Sequence, residues 1–237
     1  IVTYFLLIEL LDRTLRDPLR SKRLSGLPVI AAFNGTSNLK FRGFLKTCNR
    51  LAAAYSCRQL NNYLQKERPT IINLLSMESG EGKSYLTKYF VDYWETEGIK
   101  TRIVTHGVDF DVEAKEYVNA QQLSSFWRRN EAEQEPDIIL VEYPAINNAS
   151  IPLDTLRQAD VNLLVANACR LWRNSDNAAL QPIKEAMENV PFFLYLNNAD
   201  REVVESFTGE LPPRTPLHSF VSRLAQLGLT SKKAAVK

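Results

Sequence analysis

The sequence predicts a three-layer α/β fold, a mostly parallel sheet between two layers of helices. Three observations predict it. Short apolar runs alternate with helical patterns along the 237 residues, as in a parallel sheet covered on both faces. One apolar run, 71–75, leads through Ser79-Gly80-Glu81-Gly82-Lys83-Ser84 into a helical pattern. Another, Ile138-Ile139-Leu140-Val141, ends in an acid, Glu142, followed by Tyr143-Pro144.

In chain order, residues 1–11 are apolar apart from Thr3, Tyr4 and Glu9, and the chain does not begin with Met. Eleven residues are too few to span a bilayer, which takes about 20. Arg13, Arg16, Arg20, Lys22 and Arg23 follow at once. Apolar residues and then charges that are one-signed apart from Asp12 and Asp17 read as the end of a transmembrane helix and its cytoplasmic exit, over 1–25. The alternative is an amphipathic helix that packs on the domain with its basic residues in solvent. Ser25-Gly26-Leu27-Pro28 breaks the helix. Residues 26–237 then form a single domain.

Residues 29–33 read as a short buried strand, and 34–38 as a loop. A long helix is predicted over 41–65, with Phe44, Leu45, Leu51, Tyr55 and Leu64 among its apolar positions, ended by Arg68-Pro69. The strand at 71–75 comes next, then a helix with Leu86, Tyr89, Phe90, Tyr93 and Trp94 on its apolar face. Further strands are predicted at 100–106, 137–141, 161–166 and 192–196. Helical segments fall within 112–129 and at 153–158, 175–188 (Pro182 near its start) and 220–227. Ligands of such sheets bind beyond the carboxyl ends of the strands. Met77, His106, Glu142, Asn167 and Asn197 fall at those ends, where one cleft would gather them.

Composition narrows the function classes. A charged fraction of 24% and a hydrophobic fraction of 45% are those of an ordinary globular protein. A net charge of +2 gives no reason to expect a nucleic-acid partner. Cys48, Cys57 and Cys169 lack metal-ligand spacing and read as reduced thiols. Two histidines, His106 and His218, do not make a metal site.

The motif between the second strand and its helix carries the chemistry. Gly80 and Gly82 permit a tight turn that aims backbone N–H groups at phosphate oxygens. Lys83 supplies a cation for the β- and γ-phosphates, Ser84 a hydroxyl for magnesium, and the helix N-terminus a partial positive charge. The pattern G-x-x-x-x-G-K-[ST] begins here with Met77 instead of glycine. With its strand and helix, this reads as a phosphate-binding loop, the alternative being a strand-to-helix turn whose lysine is merely solvated, and the predicted fold is P-loop NTPase-like. Glu142 reads either as the acid that meets magnesium or its water shell, or as a strand-end acid capping a turn before Pro144. Asp109 and Asp111 read either as magnesium ligands on a loop that folds back or as solvated acids.

These residues resemble the cytoplasmic domains of bacterial tyrosine kinases and their polysaccharide co-polymerase relatives. The resemblance rests on the phosphate loop Ser79–Ser84, on Ile138 to Pro144, on Ala159-Asp160-Val161-Asn162-Leu163-Leu164-Val165, and on Leu194-Tyr195-Leu196-Asn197-Asn198. It implies ATP or ADP with magnesium as ligand. Ser79, Gly80, Glu81, Gly82, Lys83, Ser84 and Asn197 would bind the nucleotide, with Asn197 near the adenine. Ser84 and Glu142 would hold the metal, and Lys83 and Glu142 would be the catalytic pair. It also implies a homo-oligomer at the bacterial inner membrane, this segment cytoplasmic, with polysaccharide export or polymerisation machinery as partner and no nucleic acid.

The departures bear on activity. Where the family has Asp and a second Asp two residues on, this chain has His106 and Val108. The strand-end Asp of the next motif is Glu142. On the helix before the phosphate loop the family carries an acid and two arginines spaced by three, and the counterparts are Ala52, Tyr55 and Arg58. The family's C-terminal tyrosine cluster has no counterpart in 227–237. The expectation is therefore a regulatory or scaffold domain of an exopolysaccharide or capsule export protein, weak or inactive in catalysis. The alternatives are an active ATP-dependent tyrosine kinase or ATPase, and a structural domain with a vestigial site.

Overall fold

Among the described residues six strands form one sheet, and every neighbouring pair in it is parallel. The structure is a computed structural model and describes residues 12–35, 43–128 and 134–213. The strands are β1 (Val29–Asn34), β2 (Thr70–Ser76), β3 (Thr101–Thr105), β4 (Ile138–Ala145), β5 (Val161–Asn167) and β6 (Phe192–Ala199). Their spatial order is β1-β6-β5-β2-β4-β3, which puts β2 and the loop it feeds at the centre. The helices are α1 (Pro18–Ser25), α2 (Leu45–Leu60), α3 (Lys83–Thr96), α4 (Lys115–Val118), α5 (Leu153–Arg157), α6 (Asn174–Ala186) and α7 (Arg201–Thr208). The predicted three-layer α/β class is the one observed.

The central strands are near-continuous apolar runs because both faces are covered, interrupted by Asn73 of β2 and Asn162 of β5, which bond to each other at 2.9 Å. β4 is buried at all eight positions. A T-shaped aromatic cluster joins sheet and helix: Phe33 and Phe90 lie 5.6 and 5.9 Å from Tyr195, centroid to centroid. Each such side chain, fully buried, contributes roughly 1.5–3 kcal/mol by burial. The Tyr195 hydroxyl is satisfied at 2.9 Å by Ser56 of α2, as a buried polar group must be.

Several bounds differ from expectation. α2 stops at Leu60 and tightens into a 3-10 turn, Asn61–Tyr63. There the Asn61 carboxamide accepts from Trp94 Nε1 at 2.9 Å, which fixes the chain away from the helix path. Pro182 lies inside α6, not near its start. α7 is not predicted by the sequence reading, and its Val204 is its one fully buried position among the described residues. β4 runs on through Pro144, so Glu142 lies within the strand and not at its end.

The predicted membrane segment, 1–11, lies outside the described residues, as does the predicted helix at 220–227. Among the described residues no helix is long and apolar enough to cross a membrane. Residues 12–25 pack on the domain. Thr14 forms an antiparallel bridge with Leu171, the Trp172 amide donates to the Arg13 carbonyl, and Leu15 is fully buried. α1 meets the domain through small polar side chains. Ser21 donates to the Leu15 carbonyl and Ser25 to the Ser21 carbonyl, both at 2.8 Å.

Candidate nucleotide site

β2 ends at Ser76 and α3 begins at Lys83, so the phosphate loop bridges a strand end and a helix N-terminus at the middle of the sheet. The first amides of α3 have no acceptor within their own helix, which makes this end a seat for anions. Gly82 adopts φ 101°, a left-handed conformation that L side chains rarely adopt. A Cβ on Gly82 would stand 2.0 Å from Asn197 Nδ2. That close approach comes from a clamp: the Asn197 carboxamide reaches across from β6 and donates to the Glu81 carbonyl at 2.9 Å. Asn148 holds the outer side, donating to Ser79 Oγ at 3.0 Å.

The two chemical side chains of the loop are engaged. Lys83 Nζ donates to Ser76 Oγ at 2.5 Å. Ser84 Oγ donates to Glu142 Oε2 at 2.5 Å. Lys83 and Glu142 are both buried. Burial pushes the Lys83 ammonium below its usual pKa, opposed by the Glu142 and Glu81 carboxylates. Glu142 reaches Ser84 because β2 and β4 pair in parallel, with Leu74 opposite Glu142. The register of two strands 68 positions apart thus builds the Ser84–Glu142 pair.

Glu81 turns inward. Its carboxylate accepts from the amides of Met77 at 3.0 Å and Glu78 at 3.4 Å. Burial pushes its carboxyl above the usual range, opposed first by Arg170, whose guanidinium lies 3.2 Å away. Met77, at the position where the phosphate-loop pattern has its first glycine, is fully buried in the core.

The exit of β3 is built differently. The His106 amide donates to the Glu142 carbonyl, and its Nδ1 lies 3.2 Å from the same oxygen. Asp109 is neither a free metal ligand nor a solvated acid. It pairs with Arg102 at 2.9 Å and accepts from the Thr105 amide at 2.8 Å. Asp111 accepts from the Glu113 amide at 3.0 Å. Among the described residues no group of three His, Cys, Asp or Glu side chains could hold a metal ion.

Of the predicted site residues, the structure brings Lys83, Ser84 and Glu142 together and sets Asn197 against Glu81 and Gly82. Asn167, at the end of β5, instead accepts from the Cys169 amide at 3.0 Å. Sequence reasoning missed Ser76, Asn148 and Arg170. The signal for Arg170 was its place just beyond the carboxyl end of β5, where ligands of parallel sheets gather. Magnesium suits this donor set. It is commonly held by one or two carboxylates plus phosphate oxygens and waters, and Ser84 and Glu142 would be the protein's share.

No protein-family model matches the sequence, and no curated protein does. Solved structures do match. The kinase domain of the Escherichia coli tyrosine kinase ETK superposes with a TM-score of 0.51 at 12% identity, over 74% of this chain and 92% of that one. The BceF tyrosine kinase domain superposes with a TM-score of 0.50 at 13% identity, over 78% of this chain and 98% of that one. At this identity the likeness is one of fold: the chain has the P-loop fold of these tyrosine kinase domains, as its phosphate loop and its strand carrying Glu142 lead one to expect.

Proposed function

We propose that this is the cytoplasmic regulatory or scaffold domain of an inner-membrane protein of exopolysaccharide or capsule biosynthesis and export. It binds ATP or ADP with magnesium and transfers phosphate weakly or not at all. One observation carries the catalytic half of this reading. Ser84 of the phosphate loop is bonded to Glu142 of β4, a pair that would face a metal, while the exit of β3 presents His106, with Asp109 tied to Arg102. Phosphoryl transfer depends on metal ions that neutralise developing charge. A site short of one acid loses part of that stabilisation and keeps ground-state binding through backbone amides, Lys83 and Ser84. Magnesium held by Ser84 and Glu142 would supply charge neutralisation to the phosphate oxygens. Lys83 would hold the same oxygens, released from Ser76, and Glu142 would orient Ser84.

The membrane attachment, the homo-oligomer and the export machinery as partner rest on the resemblance carried by the phosphate loop and the strands at 138–144, 159–165 and 194–198. The Ser84–Glu142 pair also supports a second reading, an active ATP-dependent tyrosine kinase or ATPase. Incubating the full chain with ATP and magnesium separates the two. The scaffold reading expects nucleotide binding with negligible ADP release and no phosphotyrosine. Sustained turnover or phosphotyrosine, abolished by Lys83→Ala, would replace it with the kinase reading.

A further inference from the structure

The phosphate loop carries two carboxylates of its own, Glu78 and Glu81, at a site read as taking a polyanion. A polyphosphate entering there meets their negative charge as well as that of Glu142. The field is answered from outside the loop. Arg170, on the segment between β5 and α6, has a side chain only 9% exposed and reaches three carboxylates: Asp176 at 2.6 Å, Glu81 at 3.2 Å and Glu78 at 3.3 Å. Arg173 adds a fourth contact, 3.6 Å to Glu78, from an exposed position.

Arg170 is itself fixed in place. Asp176 is 1% exposed and uses its second oxygen to accept from the Arg173 amide at 2.7 Å, at the start of α6. The Arg170 guanidinium lies 5.6 Å from the centre of the buried Trp172 ring, and the Trp172 indole donates to Asn177 at 2.8 Å. Glu81 Oε1 and Arg170 Nη1 are both buried and face each other without a hydrogen bond, so their interaction is one of charge more than of direction. Removing one member of such a pair is costly, because the other is left buried and uncompensated.

We propose that Arg170 is a positioning residue for the phosphate loop: it holds Glu81 and Glu78 and cancels their charge, so that the loop can accept a polyphosphate. The proposal rests on the nucleotide-binding reading and adds the residue that makes an acidic loop compatible with it. Arg170 touches the loop, and its effect on the nucleotide runs through Glu81 and Glu78. A field effect grows with the charge of the ligand, whereas a purely structural role does not distinguish ligands by charge.

The test is calorimetric titration of ATP, ADP and AMP into the full chain, its Arg170→Met, Arg170→Lys and Glu78→Gln variants, and Arg173→Met. Arg170→Met is expected to weaken ATP by about tenfold or more and AMP by about threefold at most, with ADP between. Arg170→Lys should recover most of the loss, since it keeps the charge. Glu78→Gln removes one loop charge from a partly exposed position and should tighten ATP by about threefold. Arg173→Met should weaken ATP slightly. Equal losses for all three nucleotides, or weaker ATP binding by Glu78→Gln, would overturn the proposal and leave nucleotide binding standing. Should Arg170→Met not fold, Glu78→Gln and Arg173→Met decide the matter by the signs just given. Absence of binding by the unmodified chain at millimolar nucleotide would overturn both the proposal and the reading on which it rests.

Discussion

The exits of β2 and β3 face the same end of the sheet and are built to different standards. At the exit of β2 the polar side chains reach across the site, with Lys83 on Ser76, Ser84 on Glu142 and Asn197 on the Glu81 carbonyl. At the exit of β3 the side chains serve the loop itself: His106 meets the Glu142 backbone and Asp109 meets Arg102 and Thr105. On the proposed reading, the difference teaches that phosphate binding and phosphoryl transfer would be separable here. The first needs a strand, a glycine turn and a helix N-terminus, which are local. The second needs acids delivered by other strands, and here one strand delivers Glu142 and the other delivers none.

The sharpest way to break the comparison is at Lys83. Lys83→Ala removes a charge-assisted contact worth roughly 1.5–3 kcal/mol. ATP affinity should fall by about 10- to 150-fold, read by calorimetry. An unchanged affinity would put the nucleotide somewhere other than the exit of β2. Next comes Gly82→Ala. The left-handed backbone alone costs roughly 1–2 kcal/mol for a side chain, and the new Cβ meets Asn197 at 2.0 Å. Chemical denaturation should show a loss of at least that size, and Asn197→Ala in the same chain should return part of it. If the second substitution returns nothing, the clamp is not what confines the loop.

The comparison sharpens when the poorer exit is rebuilt. His106→Asp with Val108→Asp supplies the acids that the resemblance implies, and Val108 is well exposed. Magnesium should then strengthen ATP binding by about tenfold more than in the unmodified chain, about 1.4 kcal/mol, with a rise in ADP release. The smallest effect is on pH dependence. The folded pKa of Glu81 is raised by burial. Between its unfolded and folded values the folded state therefore holds more protons, and stability falls as pH rises through that window. Glu81→Gln should flatten this fall, measured as melting temperature against pH from the usual carboxylate range upward. A slope unchanged by the substitution would assign the dependence to other groups.

Much of this was legible in the sequence, because local patterns carry it. The six strands follow from apolar runs, and the phosphate loop from Gly82-Lys83-Ser84 between a strand and a helix. What the sequence did not show depends on partners distant along the chain. Asp109 looks like a free acid until Arg102 is seen to take it. Glu142 looks like a strand-end residue until β2, whose Ser76 pairs with Ala145, is seen to carry β4 three residues further. Arg170 lies 89 positions from Glu81, and only the sheet order β5-β2 brings them together. The helix at Arg201–Thr208 has few apolar residues and packs chiefly through Val204 and the Tyr55–Phe207 ring contact. Val203, Val204 and Phe207 nonetheless stand at helical spacing, so the pattern was present in the sequence over its eight residues.

The central claim is that the exit of β2 binds nucleotide while the exit of β3 leaves transfer without its second acid. The most direct test follows ATP binding and ADP release in one sample of the full chain, with and without magnesium. The account predicts saturable ATP binding that magnesium strengthens modestly, with ADP release close to the background hydrolysis of ATP. Brisk magnesium-dependent ADP release, or no binding at millimolar ATP, would contradict it.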